Sequence, residues 1–104
     1  MSWTRVCGAT DVAPNSSQRF DLEAHRLAVV RIGDADWYVI DDRCSHADYS
    51  LSEGELWPDE CEIECPKHGS TFDLRTGMPQ SLPATKAVSV YEVRVSGDDV
   101  EVNL

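Results

Sequence analysis

No apolar run in the sequence exceeds four residues: Leu27–Val30 and Trp37–Ile40 are the longest, against the roughly 20 residues that a membrane-spanning helix requires. A membrane-crossing helix is therefore not expected. Basic residues are also scarce, with nine Lys and Arg against nineteen Asp and Glu and a formal charge of -10. That balance repels nucleic acid and anionic membrane surfaces at long range, so neither is an expected partner. With 104 residues, the chain lacks the length for a second core and reads as one domain, residues 1–104. A content of 41% hydrophobic and 27% charged residues is too apolar for a disordered tail, so the domain should fold. The opening Met1-Ser2-Trp3-Thr4-Arg5-Val6 has one basic residue and no apolar stretch behind it, unlike a secretory signal. A cytoplasmic location with reduced cysteines is the expectation, which moves the reading of four cysteines from disulfides towards metal binding.

Long helical patterns are missing as well. Short runs dominate instead: Trp3–Cys7, Arg26–Ile32, Trp37–Ile40, Glu60–Glu64, Ser70–Leu74, Ala87–Val95 and Asp99–Leu104, each broken by Gly, Pro, Asp or Asn within about ten residues. This cadence predicts an antiparallel all-β domain. In Ala87–Val95 the alternation places Val88 and Val90, and after a slip near Tyr91 also Val93 and Val95, towards a core, with a bulge or twist at the slip. Ser96-Gly97-Asp98-Asp99 predicts the turn of a C-terminal hairpin, and Ala13–Ser17 a surface turn between the first two strands. Residues 41–87 differ in texture, with Gly54, Gly69, Gly77, Pro58, Pro66, Pro79 and Pro83 spread through loops and short strands. They read as an inserted subdomain.

The candidate chemistry lies in two Cys/His pairs, Cys44-Ser45-His46 and Cys65-Pro66-Lys67-His68, separated by eighteen residues. In an extended segment residues i and i+2 point the same way, so Cys44 and His46 can reach one centre, and a C-x-x-H turn can do likewise. Gly69, directly after His68, lets the backbone turn close to an inorganic centre where a side chain would obstruct it. Tetrahedral zinc also takes two Cys and two His, but usually with both cysteines in one loop and both histidines in the other. Here each loop supplies one of each, which suits a two-iron centre.

Cys44-Ser45-His46 with Cys65-Pro66-Lys67-His68-Gly69-Ser70 resembles the paired signature of Rieske [2Fe-2S] proteins, in which two Cys hold one iron and two His the other. The resemblance extends over Asp41-Asp42, Leu51-Ser52-Glu53-Gly54, Phe72-Asp73, Thr76-Gly77 and Leu82-Pro83-Ala84. It implies the Rieske iron-sulfur fold: all-β, with antiparallel sheets in a sandwich-like base and an inserted cluster-binding subdomain over roughly 41–87. It further implies one [2Fe-2S] cluster per chain, with Cys44 and Cys65 on the inner iron and His46 and His68 on the outer. Gly69 and Ser70 would lie beside it, Ser70 matching a serine that donates to a bridging sulfide.

Within that family the chain is similar to the ferredoxin components of multicomponent aromatic-ring-hydroxylating dioxygenases. Tyr49 and Lys67 stand where the respiratory proteins carry an extra disulfide, and Phe72 where they carry a tyrosine that donates to a thiolate. Fewer hydrogen bonds to sulfur imply a potential near the low end of the Rieske range, about -150 mV. The implied role is that of a non-catalytic one-electron carrier from a flavin-dependent ferredoxin reductase to a terminal oxygenase. Alternatives of similar appearance are a role in iron-sulfur cluster assembly or redox sensing, and the small subunit of a nitrite reductase. An oxygenase catalytic subunit would need a further mononuclear iron site of two His and a carboxylate, and only His25 remains.

Cys7 and Cys61 are expected to be reduced core residues, Cys61 on an extended strand sharing the face of Ile63, and His25 to lie exposed on a turn. Residues 1–52 carry five basic and eight acidic side chains, or -3, whereas residues 53–104 carry four and eleven, or -7. Glu53, Glu55, Asp59, Glu60, Glu62 and Glu64 concentrate acid between the two ligand loops. They are either a solvated strand edge or a docking face for partners with basic surfaces. Lys67 is then a positive point in the second loop.

Overall fold

The computed structural model describes residues 2–45, 49–67, 69–80 and 86–104, and they form an almost entirely antiparallel β architecture. The strands are β1 (Trp3–Gly8), β2 (Ser16–Leu22), β3 (His25–Ile32), β4 (Asp36–Asp41), β5 (Leu56–Trp57), β6 (Glu62–Glu64), β7 (Thr71–Asp73), β8 (Val90–Tyr91), β9 (Val93–Ser96) and β10 (Asp99–Asn103). Short 3-10 turns occupy Ala9–Asp11 and Leu51–Glu53. Three sheets result, ordered β1-β10-β9, β2-β3-β4-β8 and β5-β6-β7.

β3 explains how the sheets stack. Alternate residues of a strand face opposite sides, and the apolar run Leu27–Val30 is buried on both. Leu27 and Val29 join Cys7, Val12, Val39, Val100 and Val102 in one core, beneath the β1-β10-β9 sheet. Ala28 and Val30 join Ile40, Cys44, Leu51, Ile63, Cys65, Phe72, Leu74 and Val88 in another, beneath the β5-β6-β7 sheet. The four-stranded sheet is thus the middle layer. The side that carries Ala28 and Val30 supports the two cysteines of interest.

Several sequence expectations need correction. Ala87–Val95 is not one strand: β8 pairs with β4, β9 pairs with β10, and the chain passes from one sheet to the other at Glu92. The Asn103 amide donates to the Glu92 carbonyl at 2.9 Å and anchors the crossing. This handover, rather than a bulge, breaks the alternation, and it leaves Val90 and Val95 exposed while Val88 is buried and Val93 packs against the first core. β2 fills the interval left blank by the sequence reading. Ser-Ser-Gln-Arg-Phe-Asp-Leu has little apolar signal, but seven register pairs to β3, Ser16↔Arg31 through Leu22↔His25, make it a strand. The turn before it is confined to 13–15, so Ser16 and Ser17 already belong to the sheet. The C-terminal hairpin forms as expected, with Ser96 paired to Asp99. Among the described residues no helix is long and apolar enough to cross a membrane.

Candidate metal centre

The first candidate ligand loop leaves the end of β4 and is braced from below. Asp42 is completely buried. Arg26 Nε donates to its Oδ2 at 3.0 Å, and the Ser52 amide to its Oδ1 at 2.9 Å. Arg26 Nη2 also donates to Ser50 Oγ at 2.7 Å. Burial alone would push the Asp42 carboxyl up, but the hydrogen bonds from Ser52, Ser50 and Arg26 outweigh it and hold the group below its ordinary value. A buried charge is tolerable only with such partners, and these fix both limbs of the loop at once, since Asp42 enters it and Ser50 and Ser52 leave it. The Leu51 amide donates to the Asp42 carbonyl at 2.6 Å, and Arg43 and Ser50 form a bridge pair.

The second loop joins β6 to β7, which pair as Glu62↔Asp73, Ile63↔Phe72 and Glu64↔Thr71. Both loops close in the same way. The Cys44 amide donates to the carbonyl of Tyr49 at 2.9 Å, and the Cys65 amide to the carbonyl of Ser70 at 2.7 Å, each five residues on. The Gly69 amide adds a bond to the Cys65 carbonyl at 3.1 Å. Gly69 has a φ of +73°, and among the described residues a Cβ there would meet nothing nearer than Glu64 Oε2 at 4.0 Å. That left-handed conformation favours glycine whatever the space around it. Ser70 is fully buried.

Cys44 and Cys65 come together in one apolar cluster with Leu51, Ile63, Phe72 and Leu74. They are 2% and 0% exposed, and none of the four cysteines is disulfide-bonded. The loops rise from this floor to the surface, where Tyr49, Pro66, Lys67 and Gly69 are exposed. His46 and His68 lie outside the described residues, as does Leu82-Pro83-Ala84. The described part of the site therefore supplies two inner thiols. Thiolates among apolar side chains are costly unless a cation binds them, so this donor pair, with an imidazole next in each motif, fits an iron centre buried at one end.

The loops are also held to each other. Gly54 follows the Leu51–Glu53 turn, and a Cβ on it would sit 1.5 Å from the Glu64 carbonyl oxygen, so only glycine lets the exit of the first loop lie against β6. The Glu64 amide donates to the Glu55 carbonyl at 2.8 Å there. At the rim, Lys67 Nζ lies over the ring of Tyr49 at 5.0 Å from its centroid. Lys67 is thus engaged across the loops, which one-dimensional reading could not detect. Ser45, between the two candidate ligands of the first motif, donates to the Lys86 carbonyl at 2.7 Å.

The remaining candidates fall outside this centre. Cys7 belongs to the other core, where burial first and Asp11 second push its thiol up to about 11. Cys61 is not on an extended strand: it has a φ of +57°, precedes β6 in a turn and is only half-buried, although it does pack beside Ile63's core. Its hydrogen bond to Tyr38, more than burial, raises the Tyr38 phenol above its ordinary value. His25 is half-buried at the start of β3, edge-on to Tyr91 with ring centroids 5.8 Å apart, rather than exposed on a turn. Of the acidic stretch, Glu53, Glu55, Asp59 and Glu60 are exposed. Glu62 and Glu64 are half-buried, and Glu64 accepts a hydrogen bond from Trp57 Nε1 at 3.2 Å.

The Rieske [2Fe-2S] domain family matches residues 2–92, and the chain belongs to that family. It is 45% identical over 101 residues to the ferredoxin CarAc of Metapseudomonas resinovorans, covering 96% of this chain and 92% of that one. Among solved structures, the ferredoxin of carbazole 1,9a-dioxygenase from Nocardioides aromaticivorans IC177 superposes with a TM-score of 0.91 at 37% identity, covering 98% of this chain and 97% of the other. A ferredoxin solved in the complex of reduced oxygenase and oxidized ferredoxin in carbazole 1,9a-dioxygenase gives 0.85 at 44% identity, over 96% and 91% of the two chains.

Proposed function

We propose that the chain is a one-electron carrier that takes electrons from a flavin-dependent reductase and passes them to a terminal oxygenase in the cytoplasm, without turning over a substrate itself. The observation that carries the reading is the pair of buried cysteines, Cys44 and Cys65, at the floors of two identically closed loops. The likeness to ferredoxin components over nearly the full length of both chains supports it. The solved complex of a ferredoxin with its oxygenase supports the choice of partner.

One [2Fe-2S] cluster per chain would supply a single-electron couple. Cys44 and Cys65 would hold the inner iron as thiolates, and His46 and His68 the outer iron, in a cluster-binding subdomain of roughly residues 41–87 within the single domain 1–104. The apolar floor of Leu51, Ile63, Phe72 and Leu74 keeps water from the thiolates. Gly69 shapes the second loop, and Ser70 would donate a hydrogen bond to a sulfide. The exposed acids Glu53, Glu55, Asp59 and Glu60 would favour partners with basic docking faces.

Reconstitution tests the role. With a flavin-dependent reductase, NADH and a carbazole-type terminal oxygenase, product formation should depend on added protein and saturate with it. A holoprotein that the reductase reduces, but that passes no electrons to any such oxygenase, would overturn the proposed partner.

A further inference from the structure

We propose that Tyr49 and Lys67 form a clasp that holds the rims of the two ligand loops together and slows loss of the metal centre. The inference rests on the ligand reading above. Each residue is placed to transmit loop motion. The Tyr49 carbonyl closes the first loop by accepting the Cys44 amide, and Lys67 lies within the second loop, which the Cys65 amide closes on Ser70. The two loops are joined at their base by the shared apolar cluster and by the approach of Gly54 to the Glu64 carbonyl. At the rim both side chains are exposed, Tyr49 by 42%, yet the ammonium lies over the ring face at 5.0 Å instead of extending into solvent.

A cation on a ring face is attractive through the ring quadrupole, and at an exposed site the contact slows an opening that breaks it by about two- to fivefold. Release of a centre whose ligands are shared between the loops requires them to separate. Tyr49 and Lys67 are positioning residues in this account and touch no metal.

The test follows release of the cluster into excess chelator by loss of visible absorbance, in the parent, Tyr49→Leu, Lys67→Gln and the double variant. Each single variant should release about two- to fivefold faster than the parent, and the double no faster than the singles, because either change already opens the clasp. Tyr49→Phe and Lys67→Arg keep a ring and a cation and should release near the parent rate. Hydrogen exchange by mass spectrometry gives a second reading in any metal state: Tyr49→Leu in the first loop should speed exchange of the Cys65 amide in the second. Unchanged release together with unchanged Cys65 exchange, or single effects that multiply in the double variant, would overturn the clasp. A parent protein without a [2Fe-2S] cluster would instead overturn the ligand reading, and the exchange measurement would still decide the clasp.

Discussion

Phe72 is completely buried in the cluster that holds Cys44 and Cys65, opposite Ile63 in the β6–β7 pair. Its ring adds no hydrogen-bond donor to that floor. Phe72→Tyr would add an O–H there, and a hydrogen bond to a thiolate sulfur stabilises the extra negative charge of the reduced state more than the oxidised one. Such bonds to charged groups are worth about 1.5 to 3 kcal/mol, but only the difference between redox states counts, so the potential should rise by some tens of millivolts. Voltammetry of the two proteins at one pH checks this, and a fall in potential would contradict it. The two Cys/His pairs were legible as candidate ligands because these residue types have few reasons to recur in pairs. The bracing of Asp42 by Arg26 and Ser50 was not, since those residues lie 16 and 24 positions apart from their partners in the bonds that join them.

At the scale of elements, short runs broken by Gly, Pro, Asp or Asn revealed β3, β4 and β10, where burial on a face or on both leaves a direct mark in the sequence. It missed β2, which is held by pairing more than by apolar content, and β5, whose two residues are too few for any period. It misjudged Ala87–Val95 because a strand that changes sheets also changes the direction of its core. Close approach is likewise invisible before folding: Gly54 reads as an ordinary turn residue until the Glu64 carbonyl is found against it. Gly54→Ala would force the exit of the first loop away from β6. We expect a loss of about 1 to 3 kcal/mol, the range for overpacking, and a lower yield of metal-loaded protein. Denaturant unfolding and iron content per chain measure the two effects, and an unchanged midpoint with parent iron content would show that the loop exit can relax.

Over the whole molecule the net charge of -10 bears on both partner encounter and potential. An oxidised two-iron, two-sulfide centre with two thiolates is formally neutral and gains -1 on reduction, so surrounding acids favour the oxidised state. The same acids steer towards basic surfaces, an effect screened beyond roughly 10 Å at 0.1 M salt. Electron transfer from a reductase should therefore slow as salt rises. Replacing Glu53, Glu55 and Glu60 by Gln should lower the second-order rate and flatten its salt dependence, as stopped-flow reduction would report. These three are preferable to Glu64, whose bond to Trp57 ties it to the fold. Parent rates with parent salt dependence would mark the stretch as solvated surface.

The central claim is that two thiolates and two imidazoles from this one chain hold a two-iron centre. Iron and acid-labile sulfide analysis of the purified protein, joined to EPR of the reduced state, tests it most directly. The expected result is two irons and two sulfides per chain with the lowered average g-value of a His-ligated cluster. One zinc per chain without visible absorption, or a signal typical of an all-cysteine cluster, would contradict it.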